Sequence, residues 1–260
     1  MSAMSRCLRA IIGLAACGVV ATGMAMAQTP APAKRIPAKH AAQPTAGQLI
    51  AKYVRAIGGR AALEKISSRR TVGTMDPGGG TFLSLEIMEK SPDKFLSVVT
   101  VPEVGLVMQG FDGQVAWESD PNQGVQELAG AMLAAVRRNS QFYRWLRMKE
   151  LFGKVAAGGT TSVGDREAYV MVATPPDGYA ERFYFDTVTG LLVKRDYKLD
   201  TPDGVVSFET FYDDYRDVDG VKLPFALRRV GPDNVLILKF TEIKQNVELD
   251  ETRFAKPSHP

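Results

Sequence analysis

The imidazole and thiol side chains, the commonest for nucleophilic and transition-metal chemistry, number four in this 260-residue sequence, and they lie near its ends. The two cysteines, Cys7 and Cys17, fall in an apolar leader. His40 sits in a Pro/Ala-rich stretch and His259 one residue from the terminus. Residues 46–255 therefore contain no imidazole and no thiol. That removes the usual nucleophile–base pairs, the usual zinc and copper ligands, and disulfides. Carboxylates remain, and paired acids can hydrolyse glycosides without histidine. Glu181, Asp196 and Glu209 are the candidates, but salt pairing with Arg182 and Arg195 across neighbouring strands is the simpler reading. The acid-rich run Asp213–Gly220 does not fit a calcium loop, which would place Tyr215 at the first acidic position and Ala226 at the closing glutamate. Gly78-Gly79-Gly80 follows Pro77 and precedes a strand pattern, so it is a turn and not a phosphate cradle. Dinucleotide, Walker, serine-hydrolase, CxxC and HExxH motifs are missing from the sequence. No cofactor and no metal is implied, and the chain is read as a non-enzyme.

What positions the remaining side chains begins after a leader. Arg6 and Arg9 make a positive start, Ala10–Ala21 an apolar core, and Ala25-Met26-Ala27 a small-x-small cleavage site, so residues 1–27 read as a secretory signal peptide. The core is too short for a stable membrane span, which needs about 20 apolar residues. An alternative is open at the same place: Leu14-Ala15-Ala16-Cys17 fits the pattern before a lipid-modified cysteine, which would make a membrane-anchored lipoprotein. Either route exports the chain, with the periplasm as the expected location. Residues 28–45, with four prolines and no acid, read as a semi-extended linker, either a stalk or contact for a membrane surface or a disordered lead-in. The body, residues 46–260, reads as one domain.

Charge follows the same division. The chain has 32 Lys+Arg against 29 Asp+Glu, and without Arg6, Arg9, Lys34, Arg35 and Lys39 the balance becomes 27 against 29. A near-neutral body with no basic stripe or recognition-helix motif argues against nucleic-acid binding.

In the body, a helical pattern opens with Thr45 as N-cap and Leu49, Ile50, Tyr53, Val54 and Ile57 at helical spacing. Gly58-Gly59 stops it, and residues 60–66 restart a shorter helix. From Arg69 the period becomes two. Five strands are expected, Arg70–Met75, Phe82–Lys90, Phe95–Val101, Leu106–Phe111 and Gln114–Ser119, the last two joined through a tight Asp112-Gly113 hairpin. Val125–Phe152 then returns to helical spacing, with a break at Asn139-Ser140. Six further strands follow: Tyr169–Thr174, Ala180–Phe185, Leu191–Tyr197, Val205–Tyr212, Lys222–Val230 and Val235–Val247. A meander this long must curl or close. The fold class is mainly β with α: a curved antiparallel sheet, an unclosed half-barrel of about 11 strands, with the helical segment as a lid over its concave side.

Several runs in this order carry a family resemblance: Ile57-Gly58-Gly59 with Ala62–Ile66, Gly110-Phe111-Asp112-Gly113 with Ala116-Trp117, Phe185-Asp186 with Thr189–Leu192, and Asp214-Tyr215-Arg216 with Val218–Val221 and Leu223-Pro224. Over residues 46–255 the chain resembles the LolA-like group of exported proteins, which includes outer-membrane lipoprotein-sorting carriers and the mycobacterial LppX/LprG type. The resemblance implies an unclosed barrel with a helical lid over an apolar cavity, and a role carrying acyl chains or lipoproteins between membranes.

The candidate ligand-binding residues are aromatic and sulfur side chains, which make adaptable apolar walls. On the first strands they are Met88, Met108 and Trp117. On the insert they are Met132, Val136, Phe142 and Tyr143, and on the later strands Met171, Phe183 and Phe185. Ordinary core packing is the rival role for each one singly. Trp145, between Arg144 and Arg147, is expected on a solvated helix face. The expected partner is a lipid or lipoprotein acyl chain, with a membrane surface or another envelope protein as further possibilities. A scaffold binding another protein without lipid, and a carboxylate hydrolase, are the alternative functions.

Overall fold

The structure, a computed structural model, describes residues 43–201 and 204–258. The leader, nearly all of the linker and His259 lie outside the described residues. Thr45 opens helix α1 (Ala46–Ala56) with a reciprocal cap: its hydroxyl accepts from the Gln48 amide while the Gln48 side chain accepts from the Thr45 amide. Ala46, Leu49 and Tyr53 form the buried stripe of α1. A short α2 (Arg60–Glu64) follows the glycine pair.

The first half of the sheet is β1 (Ser68–Asp76), β2 (Leu83–Lys90), β3 (Lys94–Val101), β4 (Gly105–Phe111), β5 (Ala116–Asp120) and β6 (Gly124–Glu127). The insert comprises α3 (Gly130–Asn139), a 3₁₀ turn at Arg144–Leu146 and α4 (Met148–Leu151). The second half is β7 (Lys154–Val163), β8 (Arg166–Thr174), β9 (Glu181–Asp186), β10 (Leu192–Thr201), β11 (Gly204–Val218), β12 (Val221–Val230) and β13 (Val235–Gln245). All thirteen strands join one antiparallel sheet in the order β6-β5-β4-β3-β2-β1-β13-β12-β11-β10-β9-β8-β7. Every pairing is between sequence neighbours except β1–β13, which welds the two halves.

The sheet is the curved, unclosed one expected, with two strands more than the expected eleven. Both additions are edge strands whose composition conceals them. β6 lies where helical spacing was expected to begin at Val125. The turn before it is set by Asp120, whose carboxylate accepts from the Asn122 amide, and it returns the chain antiparallel to β5. β7 is small and polar (KVAAGGTTSV), so it shows no hydrophobic alternation. The expected break at Asn139-Ser140 is where α3 ends.

Thirteen strands exceed the roughly ten that an open twisted sheet holds without curling. One bend lies at the weld. The β1–β13 register shifts at Val72/Gly73, and a Cβ on Gly73 would lie 2.2 Å from the Lys239 carbonyl oxygen. Only glycine permits that approach. The curl makes a concave face, and the chain order then places the insert. β6 and β7 are the two edges of the sheet, so the segment joining them must cross between those edges; it does so over the concave side, with α3 against β5 and β10.

The convex face carries its own core. Leu249 and Phe254, from the segment after β13, cover Met88, Leu96 and Trp117. The Trp117 indole donates to the Phe254 carbonyl at 2.9 Å, and its ring lies where a side chain on Gly110, its cross-strand partner, would be. A Cβ on Gly110 would stand 2.4 Å from that ring. Gly110→Ala should therefore cost about 1–3 kcal/mol of stability in urea unfolding, since the ring is locked by its hydrogen bond and its burial.

Candidate functional site

The concave face is divided. Under α1 and α4 it is filled: Leu49, Tyr53, Met148 and Phe152 interlock with Met171, Phe183, Phe185 and Leu192 of β8–β10. Beside that packed end, between the insert and strands β1, β2 and β10–β13, lies a cavity of about 450 Å³. Small-molecule sites typically measure roughly 300–1,000 Å³.

Strand alternation assigns the walls. Ile87 and Glu89 of β2 line the cavity, so Met88 between them turns to the convex face. Gln109 of β4 faces inward and Met108 outward for the same reason. Trp117 shares that outer side. Of the ten residues singled out from sequence, Val136 and Phe142 line the cavity. Met171, Phe183 and Phe185 belong to the packed end. Tyr143 lies at the insert's seam, its hydroxyl donating to the Ile66 carbonyl at 2.8 Å, and Met132 is half-buried on α3. The main apolar wall is one that sequence reading did not single out: Leu227 on β12 with Leu236, Leu238, Phe240 and Ile243 on β13.

Trp145 overturns its expected solvated position. Its ring lies 4.5 Å from Tyr53, 5.5 Å from Phe183 and 6.0 Å from Phe185, mostly edge-on, and it lines the cavity. The 3₁₀ turn that carries it begins after the break at Asn139, so the helical phase before the break says nothing about which way residue 145 points.

The insert is tied to the sheet by polar contacts. Arg195 of β10 is buried, and its guanidinium donates to Glu181 of β9 at 2.6 and 2.8 Å and to the Asn139 side chain at 3.0 Å. Arg138, also on α3, reaches Asp177 at 3.0 Å and Glu181 at 3.5 Å. Farther along, the Arg69 guanidinium lies 5.3 Å from the Phe142 ring centre, and the Phe142 amide donates to the Pro92 carbonyl. The expected cross-strand salt pairing is present for Glu181 with Arg195. Asp196 and Glu209 instead share Lys194: the register sets the two acids opposite each other, and the lysine lies two residues along β10 on the same face.

Charge in the cavity is one-sided. Five cations line it, Arg69, Arg144, Arg195, Lys222 and Arg229, with Glu89 the one carboxylate among the described lining residues. Glu89 is committed to Arg69 at 3.0 Å. A second acid for hydrolysis is therefore missing from this lining, and no group of three His, Cys, Asp or Glu side chains suited to a metal occurs among the described residues.

Three phenols complete the polar side. Burial pushes Tyr53 up to about 12, opposed by the nearby Arg144 charge and a hydrogen bond with Tyr215. Burial also raises Tyr212, against the opposing fields of Arg195 and Arg144, and raises Tyr215 well above its ordinary value, with Tyr53 and Tyr212 adding to the rise. For Arg195, burial disfavours the charge, but Glu181 and neighbouring tyrosines outweigh it and the pKa rises.

Two outcomes follow. Glu181→Gln leaves the Arg195 charge buried without its carboxylate and should cost about 3–5 kcal/mol in chemical denaturation. Tyr53 has a raised folded pKa, so its contribution is intact below its ordinary 10.0 and is lost as pH climbs towards about 12. Stability should fall over that window by up to about 1.4 kcal/mol per pH unit per proton. Tyr53→Phe should flatten the fall when unfolding is measured against pH.

No protein-family model matches the chain, and comparison with curated proteins finds no match. Solved structures do match. A DUF1329 family protein from Desulfovibrio piger superposes with a TM-score of 0.57 at 15% identity, covering 81% of this chain and 97% of that one. A LolA superfamily protein from Nitrosomonas europaea gives 0.53 at 14% identity, with 82% and 98% covered. A putative outer membrane lipoprotein-sorting protein domain from Vibrio parahaemolyticus gives 0.52 at 10%, with 72% and 89% covered. At these identities the likeness is one of architecture: the chain has the LolA-like fold.

Proposed function

We propose that this protein is a non-enzymatic carrier of the cell envelope that holds a lipid, a lipoprotein acyl group or a similar amphiphile between its sheet and its insert. The cavity of about 450 Å³ against the β12–β13 apolar wall carries the proposal. Each methylene withdrawn from water is worth about 0.8 kcal/mol, so a chain of about 16 carbons gains on the order of 10 kcal/mol gross before the costs of association. A site sunk beneath a helical lid can shield that length; an open face cannot. The LolA-like fold and the secretory pattern of residues 1–27 are consistent with a role in the envelope. In this reading the insert is the lid. Its α4 end is packed against β8–β10, whereas over the cavity it meets the sheet through polar and ring contacts such as Arg195–Asn139 and Arg69–Phe142, which can part when a guest enters.

Mass spectrometry of extracts from gently purified protein should find a bound amphiphile, and the delipidated protein should bind a neutral fluorescent amphiphile. Leu238→Trp, which fills the cavity from β13, should weaken that binding at least about tenfold with little change in melting temperature. No extracted amphiphile together with no probe binding would end the proposal.

A further inference from the structure

The polar groups of the cavity are not evenly matched, and the mismatch names a ligand chemistry. Among the lining cations, Arg69 faces Glu89 and Arg195 faces Glu181. Arg144 and Lys222 have no carboxylate partner among the described residues, and of the two it is Arg144 that the insert carries. It stands on the 3₁₀ turn of the insert, half-buried, with its guanidinium 5.7 Å from the Trp145 ring centre. Its charge is felt by all three buried phenols, Tyr53, Tyr212 and Tyr215. A cation, hydroxyls and an aromatic wall thus meet at one end of a cavity whose other wall is Leu227, Leu236, Leu238 and Phe240.

Withdrawing a guanidinium from water is costly unless an anion meets it. The Tyr215 hydroxyl already donates to the Leu192 carbonyl at 2.8 Å, which leaves Tyr53 and Tyr212 as the phenols that can turn to that anion, and an arginine fork fits a carboxylate or phosphate with two parallel hydrogen bonds. We infer, resting on the carrier reading above, that the guest is an anionic amphiphile, its carboxylate or phosphate held by Arg144 with Tyr53 and Tyr212 and its chain laid along the β12–β13 wall. The guest then supplies the negative charge that the lining lacks. The site also selects, because a neutral lipid of the same length leaves Arg144 uncompensated. Arg144 belongs to the insert, so head-group binding would draw the lid onto the loaded sheet.

The test compares palmitate, methyl palmitate and inorganic phosphate as competitors for a neutral fluorescent amphiphile on the delipidated full-length protein. Palmitate should bind about 10–100-fold more tightly than its ester, as a charge-assisted hydrogen bond predicts. Arg144→Gln should erase that preference while leaving the ester's affinity in place, and Arg144→Lys should keep part of it. Equal binding of palmitate and ester by the wild type would overturn the anionic head group and leave the carrier reading standing. Probe uptake that neither lipid competes, but phosphate does, would reassign the polar end to a free anion. No uptake of the probe or of either lipid would remove the carrier reading itself. A preference that survives in a folded Arg144→Gln protein would sink the role given to that residue.

Discussion

The contact on which the arrangement turns is the buried pair Glu181–Arg195. Nothing in the periodicity of an antiparallel meander calls for an arginine deep on its concave face, where burial works against the charge. The cost is met because Glu181 sits on the neighbouring strand with two short contacts, through Nε and Nη2, while Nη2 also donates to the Asn139 side chain at the end of α3. Arg138 approaches the same carboxylate from the helix side. One carboxylate therefore holds both a strand and the insert. It also marks where the packed end of the concave face gives way to the cavity.

The cavity itself follows from a mismatch in dimensions. A thirteen-stranded sheet offers more inward positions than α1 and a short, broken insert can cover. Packing is complete where α1, α4 and Trp145 stack on β8–β10, and it fails beside them, where the insert has only a 3₁₀ turn and the end of α3 to offer. A continuous helix from residue 130 to 152 would have closed more of the space. The break at Asn139–Ser140 instead lets Phe142, Arg144 and Trp145 line the cavity from a loop and a 3₁₀ turn.

Much of the fold is legible in the chain because it is local. Thr45 and Gln48 write the start of α1, the glycine pair writes its end, and Asp112-Gly113 writes a hairpin. The site was less legible. Met88, Met108 and Trp117 were attractive as apolar wall, yet alternation separates two faces without saying which is concave. That choice was made by residues 247–254, which fold back over the convex side and need their own apolar seat. Trp145 departs from its expected position for a different reason: charged neighbours signal solvent only while helical phase persists, and phase is lost at the break. The polar end of the cavity was invisible because Arg144, Arg195 and the three tyrosines come from four separate elements, each unremarkable alone.

The amino-acid sequence by itself determined the absence of imidazole and thiol from the body, the strand–insert–strand order, and the turns that make consecutive strands pair, since all of these depend on residue type or on contacts a few positions apart. Tertiary structure alone decided which face became the inside and where space was left unfilled. It also left Arg144 without a carboxylate partner among the described residues. Those properties depend on the β1–β13 weld and on the insert's crossing between the sheet's two edges, contacts between segments more than a hundred residues apart in part. No local pattern encodes how two such surfaces fit.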